Sequence, residues 1–404
     1  MAQRIHVGVV RAVKAVQQTY HPDAIVLHLL DQFRLMVNLC IQIGVEQHVS
    51  SLKALSLKAY PQLSAFDVMS YYKLCAISAS AGALRNYRKA KRKNPRSKEP
   101  YARKLHLTTC YGFKIRDGEL LLPLRPREHL RTPLTKHVQE TMKGCEVRSV
   151  TITQDKLTLA IAKDAEDVKV LGLIGVDRNL DNVTLACSDG STGTNDLSEA
   201  GRVKATYRQV RSRFRRNDHR IRRRVAEKYG VKQREKVRQI LYQASKAIIQ
   251  QAKHEQFGIV MEKLTGIRKL YRKGNGQGHA YRARMNSWSY AELQRQIEYK
   301  ARWEGLLVIY VNPAGTSRKC SICGSRMARI PEENRLLTCH SCWFTVDRDV
   351  NAARNILGRE LRFGPIAHSR EAMVAESERK TVIRKVDGWE LTTPTRMSRH
   401  VNRT

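Results

Sequence analysis

The chain has 404 residues, and its 74 lysines and arginines outnumber 37 aspartates and glutamates, for a formal net charge of +37. A chain of this length is expected to form two or three domains. So large a positive charge favours a polyanion as partner; nucleic acid is the first choice and a membrane surface is the rival. No apolar run of eighteen residues, signal peptide or lipidation motif is found. We therefore expect a soluble, cytoplasmic, nucleoid-associated protein with no membrane partner.

The N-terminal part is predicted to contain one strand followed by two helices. Residues 1–18 mix short apolar pairs with basic residues, which is consistent with a strand. Apolar residues recur at helical spacing over residues 25–44 and 64–88, so both segments are predicted to be amphipathic helices. The second helix continues into a run of six basic residues without an acid, which is either a solvated surface or, as we favour, a phosphate-binding segment. The candidate contacts are Arg85, Arg88, Lys89, Lys91, Arg92 and Lys93.

A cluster of strands follows these helices. Apolar residues alternate over residues 105–115 and return over 119–124, with the turn-forming pair Asp117-Gly118 between the two segments. Two further strands are predicted over residues 147–153 and 157–162. Because the helices stand between an opening strand and this cluster, the pattern predicts a β-barrel interrupted by a helical insertion.

The second half of the chain combines apolar strands with very basic helices. Strands are predicted over residues 170–177, 183–188, 257–262 and 306–311, and a Gly-rich basic loop over 269–285. Residues 202–234 contain fourteen lysines or arginines and are predicted to be one long helix, with further helices over 240–252, 288–303 and 351–361. The candidate nucleic-acid contacts on the long helix are Arg208, Arg211, Arg215 and Arg222.

Two Cys-x2-Cys motifs stand fifteen residues apart near the end of this half. Four thiolates that converge in this way are typical of a structural zinc site, in which every coordination position is filled. The alternatives are a disulfide pair and four unrelated thiols. We expect one Zn²⁺ bound by Cys320, Cys323, Cys339 and Cys342.

Three carboxylates stand at the ends or beginnings of predicted elements. Asp177 and Glu262 each end an apolar strand, and Asp349 opens a helix just after the cysteines. Neighbouring strands place such end residues on one rim of a sheet, where three carboxylates repel one another unless divalent cations neutralise them. Two Mg²⁺ ions bound there would hydrolyse phosphodiesters. The alternative for each acid taken alone is an ordinary surface residue.

Three motifs around these acids resemble those of a known family. They are Gly-Val-Asp177 followed by Asn182, Met-Glu262-Lys-Leu, and the segment from Asp349 to Ile356, Asp-Val-Asn-Ala-Ala-Arg-Asn-Ile. They resemble the three split motifs of a RuvC-type RNase H fold. With the four-cysteine ribbon before the third motif, the arrangement resembles the TnpB family, transposon-encoded RNA-guided endonucleases related to the type V CRISPR effectors.

The resemblance implies a multidomain α+β protein. Its N-terminal wedge β-barrel would carry a helical recognition insertion, and its C-terminal RuvC-like RNase H domain (α/β) would carry the inserted zinc ribbon. The implied bounds are 1–18 and 100–168 for the wedge barrel, 19–99 for the recognition lobe, 169–317 and 346–362 for the RuvC domain, 318–345 for the target nucleic-acid-binding ribbon and 363–404 for a loosely ordered tail.

The resemblance also implies a function. Asp177, Glu262 and Asp349 would be the catalytic Mg²⁺ ligands in a bacterial or archaeal protein that binds a guide RNA, as one monomer per RNA, and cleaves matching double-stranded DNA. Asp347 lies two residues before the family position and is not expected to be a ligand. Asn179 stands where the family usually has glycine, so we expect it to adopt a left-handed backbone. The alternatives are a silent RNA-guided repressor and a DDE-type transposase.

Overall fold

The computed structural model describes residues 10–125, 128–214, 219–330 and 333–361. The predictions for residues 1–9, for Arg215 and for the tail over 363–404 lie outside the described residues. The N-terminal half begins with one strand and three helices: β1 (Val10–Thr19), α1 (Ala24–Glu46), α2 (Leu52–Ala59) and α3 (Ser70–Lys93).

The helices of this half differ from the prediction mainly at their ends. Helix α1 begins where the Asp23 carboxylate accepts a hydrogen bond of 2.8 Å from the Val26 N–H, as an N-cap aspartate does. The helix predicted over 64–88 begins only at Ser70, because the chain first forms a 3₁₀ turn over Pro61–Ala65. Helix α2 is absent from the prediction, since its eight residues are too few for a clear periodicity.

Helix α1 is long and apolar enough to cross a membrane, judged by length and composition. The expectation that the chain contains no such segment is therefore corrected. Leu30, Met36 and Cys40 of this helix are fully buried and belong to a core shared with α3 and the following strands. A long apolar helix covered in this way is typical of a protein core.

Six strands and one short helix follow α3: β2 (His106–Thr109), β3 (Lys114–Arg116), β4 (Glu119–Arg125), β5 (Glu128–Pro133), α4 (Lys136–Met142), β6 (Glu146–Thr153) and β7 (Lys156–Ala165). They form two antiparallel sheets with the strand orders β1-β7-β6-β2 and β3-β4-β5. The predicted strand over 105–115 is divided in two, because the chain turns at Gly112, where φ is +76°. Strand β1 pairs with β7, although the helices stand between these two strands in the sequence. This pairing is what a sheet interrupted by a helical insertion requires. Closure of the sheets into a barrel stays a prediction.

The C-terminal half is built around a five-stranded sheet. Its elements are β8 (Gly172–Arg178), β9 (Asn182–Cys187), β10 (Thr192–Asp196), α5 (Ser198–Ser212), α6 (His219–His254), β11 (Phe257–Glu262), α7 (His279–Asn286), α8 (Tyr290–Trp303), β12 (Val308–Val311), β13 (Met327–Ile330), β14 (Glu333–Cys339), β15 (Thr345–Asp347) and α9 (Arg348–Leu361). The sheet order is β10-β9-β8-β11-β12, and β13-β14-β15 form a separate small sheet in the zinc ribbon. Strands β8, β11 and β12 are parallel, so their carboxyl ends lie at one edge.

Four predictions for this half are wrong in detail. The long helix predicted over 202–234 consists of parts of α5 and α6, and the helix predicted over 240–252 is the end of α6. The loop predicted over 269–285 contains most of α7. The helix predicted over 351–361 begins three residues earlier, at Arg348. Basic residues and glycines weaken the apolar periodicity on which these boundaries depend.

Helix α9 packs directly on strand β8. A Cβ atom at Gly175 would lie 2.3 Å from the carbonyl oxygen of Ala353, so only glycine allows this close approach. Asp177 lies two residues beyond Gly175 on the same face of the strand, and Asp349 lies one turn before Ala353 on the same face of the helix. This contact therefore brings the two carboxylates together.

Candidate active site and zinc centre

The three predicted acids meet at the carboxyl edge of the five-stranded sheet. Val176 of β8 pairs with Met261 of β11, so the next residues, Asp177 and Glu262, are neighbours; we call them the sheet-side acids. Asp349, in the first turn of α9, is the helix-side acid. Glu262 and Asp349 both act electrostatically on Asp177.

Asp177 is buried without a basic partner. Its side chain is 7% exposed, and its Oδ2 accepts a hydrogen bond of 2.8 Å from the Asn179 amide. Burial raises the pKa of Asp177 to about 7; the Asn179 hydrogen bond opposes this rise, and the charges of Glu262 and Asp349 add to it. A buried carboxylate beside two others is a favourable place for a cation.

The neighbouring Arg178 does not balance this charge directly. Its guanidinium is 2% exposed and donates to the carbonyl oxygen of Glu262 at 2.5 Å and to Gln294 Oε1 at 2.8 Å. Alternation along β8 places it on the opposite face from Asp177. Arg178 therefore ties the end of β11 to β8 and α8 beneath the site.

Asp349 has a different environment. It is 3% exposed, and its Oδ2 accepts hydrogen bonds from Arg335 Nη2 at 2.7 Å and Asn182 Nδ2 at 3.1 Å. Its Oδ1 accepts one from Arg348 Nε at 3.1 Å. Two guanidinium groups thus neutralise the helix-side acid.

Glu262 is held by a neutral donor. The Thr316 hydroxyl, at the start of the segment that leads into the ribbon, donates to Glu262 Oε1 at 2.5 Å. Its carboxylate is otherwise half-buried at the open end of β11. The site therefore offers hard oxygen ligands on three elements, which is the donor set that Mg²⁺ prefers.

Within the described ranges, the four cysteines are the only group of three or more His, Cys, Asp or Glu ligand atoms that all lie within 4.8 Å of one another. The three carboxylates are more widely spaced. Amide, hydroxyl and guanidinium donors each contact one of these carboxylates. The donor chemistry fits divalent cations, and the ligation itself stays a prediction.

Two neighbours of the acids have roles that the sequence analysis did not assign. Asn179 does not have a positive φ, so the expectation of a left-handed turn is wrong; its amide instead bridges Asp177 Oδ2 and Asn182 Oδ1. Asp347 caps α9, because its Oδ1 accepts the N–H groups of Asp349 and Val350 at 2.8 and 3.2 Å. That role is consistent with the prediction that Asp347 is not a metal ligand.

The zinc prediction agrees with the arrangement of the cysteines. The Sγ atoms of Cys320 and Cys342 are 3.6 Å apart and those of Cys323 and Cys339 are 3.4 Å apart. Both distances are far too long for a disulfide bond of about 2.05 Å, and they are close to the sulfur–sulfur edge of a tetrahedral Zn–Cys₄ site with bonds of about 2.3 Å. Hydrogen bonds from Ser325 lower the pKa of Cys323 to about 6, which favours the metal-binding thiolate.

The first cysteine motif is fastened to the helix that carries Asp349. The buried Asn351 amide donates to the Lys319 carbonyl at 2.8 Å and accepts the Ser321 N–H at 3.0 Å. Asn355 donates to the carbonyl groups of Thr316 and Lys319 at 2.8 and 2.7 Å. The geometry of the ribbon is thereby linked to the position of α9 and its acid.

The predicted nucleic-acid contacts that the structure describes are all exposed. Arg88 donates to Ser50 Oγ at 2.8 Å, and Arg208 donates to the Ala283 carbonyl at 3.4 Å. The others keep the exposure that contact with a polyanion requires, and their role stays a prediction. Sequence reasoning did not identify Arg335, Arg348 or Thr316 as site residues, because no spacing signal marks an arginine or threonine as the partner of a carboxylate.

Known proteins are similar in sequence to this chain, including the part that carries the site. Residues 290–356 match the family described as Cas12f1-like, TNB domain. The TnpB-like protein MJ0751 of Methanocaldococcus jannaschii is 29% identical over 280 residues, which are 66% of this chain and 99% of that protein. The chain is thus similar to the TnpB-like proteins over nearly the whole length of MJ0751. The resemblance noted from the three motifs is confirmed.

Two other proteins are similar to this chain over different lengths. The putative RNA-guided DNA endonuclease InsQ of Escherichia coli K12 is 44% identical over 70 residues, 16% of each chain. The cryo-EM structure of a Cas12f1–sgRNA–target DNA complex aligns with a TM-score of 0.58 at 17% identity, covering 82% of this chain and 81% of that one. At this identity the second similarity shows the fold alone, a mixed α/β multidomain architecture.

Proposed function

We propose that this TnpB-like protein is an RNA-guided DNA endonuclease that cleaves guide-matched DNA by Mg²⁺-dependent phosphodiester hydrolysis. The observation that carries the proposal is the convergence of Asp177, Glu262 and Asp349 at one edge of the sheet, in a chain with a net charge of +37. An acidic site within so basic a protein suits a reaction in which cations and a polyanion meet.

Each side chain has a defined task in this proposal. Asp177, Glu262 and Asp349 would hold the two Mg²⁺ ions, which supply an activated water and stabilise the leaving oxygen when bound. Asn179 orients Asp177 and Thr316 orients Glu262, each through one hydrogen bond. Arg335 and Arg348 balance the charge of Asp349 and are available for phosphate oxygens.

The partners follow from the relatives and the charge. The names of InsQ and of the Cas12f1 complex state RNA guidance, DNA cleavage and binding of guide RNA and target DNA for those proteins. We assign the same partners to this chain, with base pairing reading the sequence and the basic surface holding backbone. The wedge barrel, the RuvC domain, the recognition lobe and a cytoplasmic location are part of the same proposal.

The experiment purifies the chain with its RNA, sequences that RNA, and presents DNA that matches its guide segment beside a randomised flank. Mg²⁺-dependent cutting of matched DNA, absent from mismatched DNA, is the expected result. Guided binding without cutting would identify a silent repressor, and strand-transfer products would identify a transposase; either outcome contradicts the proposal.

A further inference from the structure

The second cysteine motif ends in a tryptophan with an unusual backbone. Trp343 follows Cys342 directly and has φ of +56°, in the left-handed region that a bulky residue rarely adopts. The turn is fixed because the Trp343 N–H donates to the Cys339 carbonyl at 2.8 Å, and the Cys339 N–H donates to the Phe344 carbonyl at 2.9 Å. The zinc-binding turn therefore imposes a conformation that glycine would adopt without strain.

The side chain of Trp343 contributes little to the folded chain. It is 78% exposed, and its one aromatic neighbour in the described residues is His340, at 6.4 Å between ring centres. The next residue, Phe344, packs against the small ribbon core instead. A strained backbone that presents a large exposed ring is more typical of a binding site than of a stability element.

The surroundings of Trp343 favour nucleic acid as the ligand. Residues 316–348 contain six basic and three acidic residues, and Arg318, Lys319, Arg326 and Arg329 of this segment are exposed. Ile322 of the first cysteine motif is 61% exposed, and the close sulfur atoms place both motifs at one end of the ribbon. An exposed aromatic ring on a basic segment is the kind of surface on which unpaired bases stack.

We infer that Trp343 is a stacking platform for an unpaired base of the DNA strand delivered to the three acids. The inference rests on the proposed function, because it takes single-stranded DNA as the ligand. Trp343 stands six residues before Asp349 on a ribbon fastened to α9. A base held on the ring would bring the adjoining phosphates towards the acids.

The test compares three full-length variants with the wild-type protein. Trp343→Gly removes the ring and relieves the backbone strain, whereas Trp343→Phe keeps a ring. Gln256→Gly is the matched control, because Gln256 is also exposed and has φ of +54° but lies on the turn before β11. Each protein is titrated against a fluorescein-labelled 20-nucleotide thymidine strand, and separately against a 20-base-pair duplex, at one fixed salt concentration.

The expected result is an affinity loss confined to one variant and one probe. Trp343→Gly should weaken binding of the single strand by about tenfold, within the roughly 5- to 150-fold range of one lost base stack, and leave duplex binding unchanged. The single-strand affinity of Trp343→Phe should stay within about threefold of wild type. Gln256→Gly should bind the single strand as tightly as the wild type does. The unfolding temperature of Trp343→Gly should rise by about 1–3 °C, which separates loss of function from loss of folding.

Wild-type single-strand affinity in Trp343→Gly would overturn the inference. If that affinity is unchanged and size-exclusion chromatography shows altered self-association, Trp343 contacts a second copy of the chain, which also overturns it. The proposed function is tested separately by guided cleavage. A wild-type protein that loses single-strand affinity on Trp343→Gly but never cuts would contradict the nuclease proposal and leave the stacking role standing.

Discussion

Asp177 on the sheet side and Asp349 on the helix side are buried alike but balanced differently. Asp177 is 7% exposed and receives a hydrogen bond from a neutral amide, whereas Asp349 is 3% exposed and receives hydrogen bonds from two guanidinium groups. Burial therefore raises the pKa of Asp177 to about 7. The ribbon and α9 thus supply positive charge to the helix side, and we propose that the sheet side takes its positive charge from Mg²⁺.

Among changes outside the three acids, the largest expected effect comes from breaking the ribbon that supports the helix side. Cys339→Ser should abolish zinc binding and unfold the ribbon, because structural zinc sites supply folding energy directly. Helix α9 would lose the hydrogen bonds that Asn351 and Asn355 make to the ribbon segment, so Asp349 would no longer be held in place and cleavage should fall by at least about 100-fold. Elemental analysis and a cleavage assay measure both effects. Cys145→Ser, outside the zinc site, is the control and should keep one zinc per chain and full activity.

Removing the charge of each buried aspartate should change stability in opposite directions. Asp177→Asn should stabilise the Mg²⁺-free protein at pH 8 by on the order of 2 kcal/mol, because it removes a buried charge without a basic partner. Asp349→Asn should destabilise it, because two arginines lose their acceptor. Denaturant unfolding without Mg²⁺ measures both free energies, and the same sign for the two variants would contradict the comparison.

The pH dependence follows from the raised pKa of Asp177. The folded state retains the proton up to about pH 7, whereas the unfolded state releases it near the ordinary value of 3.8. The contribution of Asp177 to stability is therefore present at low pH and is lost as the pH rises between these two values. Asp177→Asn should lack this loss, so its stabilisation should shrink when unfolding is repeated at pH 5.

A smaller effect is expected from the arginine that bridges the ribbon and the helix-side acid. Arg335→Ala should lower the Mg²⁺ concentration for half-maximal cleavage by up to about fivefold, since the arginine competes with the cation for Asp349 and, with its own side chain largely exposed, adds at most about 1 kcal/mol to that pair. Arg329→Ala, on the neighbouring strand β13, is the control and should leave the midpoint unchanged. An increased Mg²⁺ requirement in Arg335→Ala would show that the arginine assists cation binding.

The smallest effect on cleavage should come from changing Asp347, which lies two residues before the acid that the motif assigns as a metal ligand. Asp347→Ala removes the cap of α9 and should cost about 1 kcal/mol of stability, while cleavage stays within about threefold of wild type. A loss of cleavage as large as that of an Asp349 variant would place the ligand at position 347 instead. Thermal unfolding and the cleavage assay together separate the two outcomes.

The sequence predicts the sheet-side geometry well, because neighbouring parallel strands that end in carboxylates place those carboxylates at the same edge of the sheet. Asp177 and Glu262 meet through strand pairing, and the cysteine spacing leads directly to four converging sulfurs. The N-terminal half is less predictable, since α2 and α4 are short. Arg335 and Thr316 reach the acids from elsewhere in the chain, so their roles follow only from tertiary packing.

The central claim is that the sheet-side and helix-side acids form one catalytic site, and guided cleavage by single-acid variants tests it most directly. Asp177→Ala, Glu262→Ala and Asp349→Ala should each reduce cleavage of guide-matched DNA by on the order of 10³-fold or more, because each loss removes several kcal/mol of transition-state stabilisation. Binding of RNA and matched DNA should stay near wild type, since base pairing and backbone contacts supply it. Robust cleavage by Asp349→Ala would contradict the account.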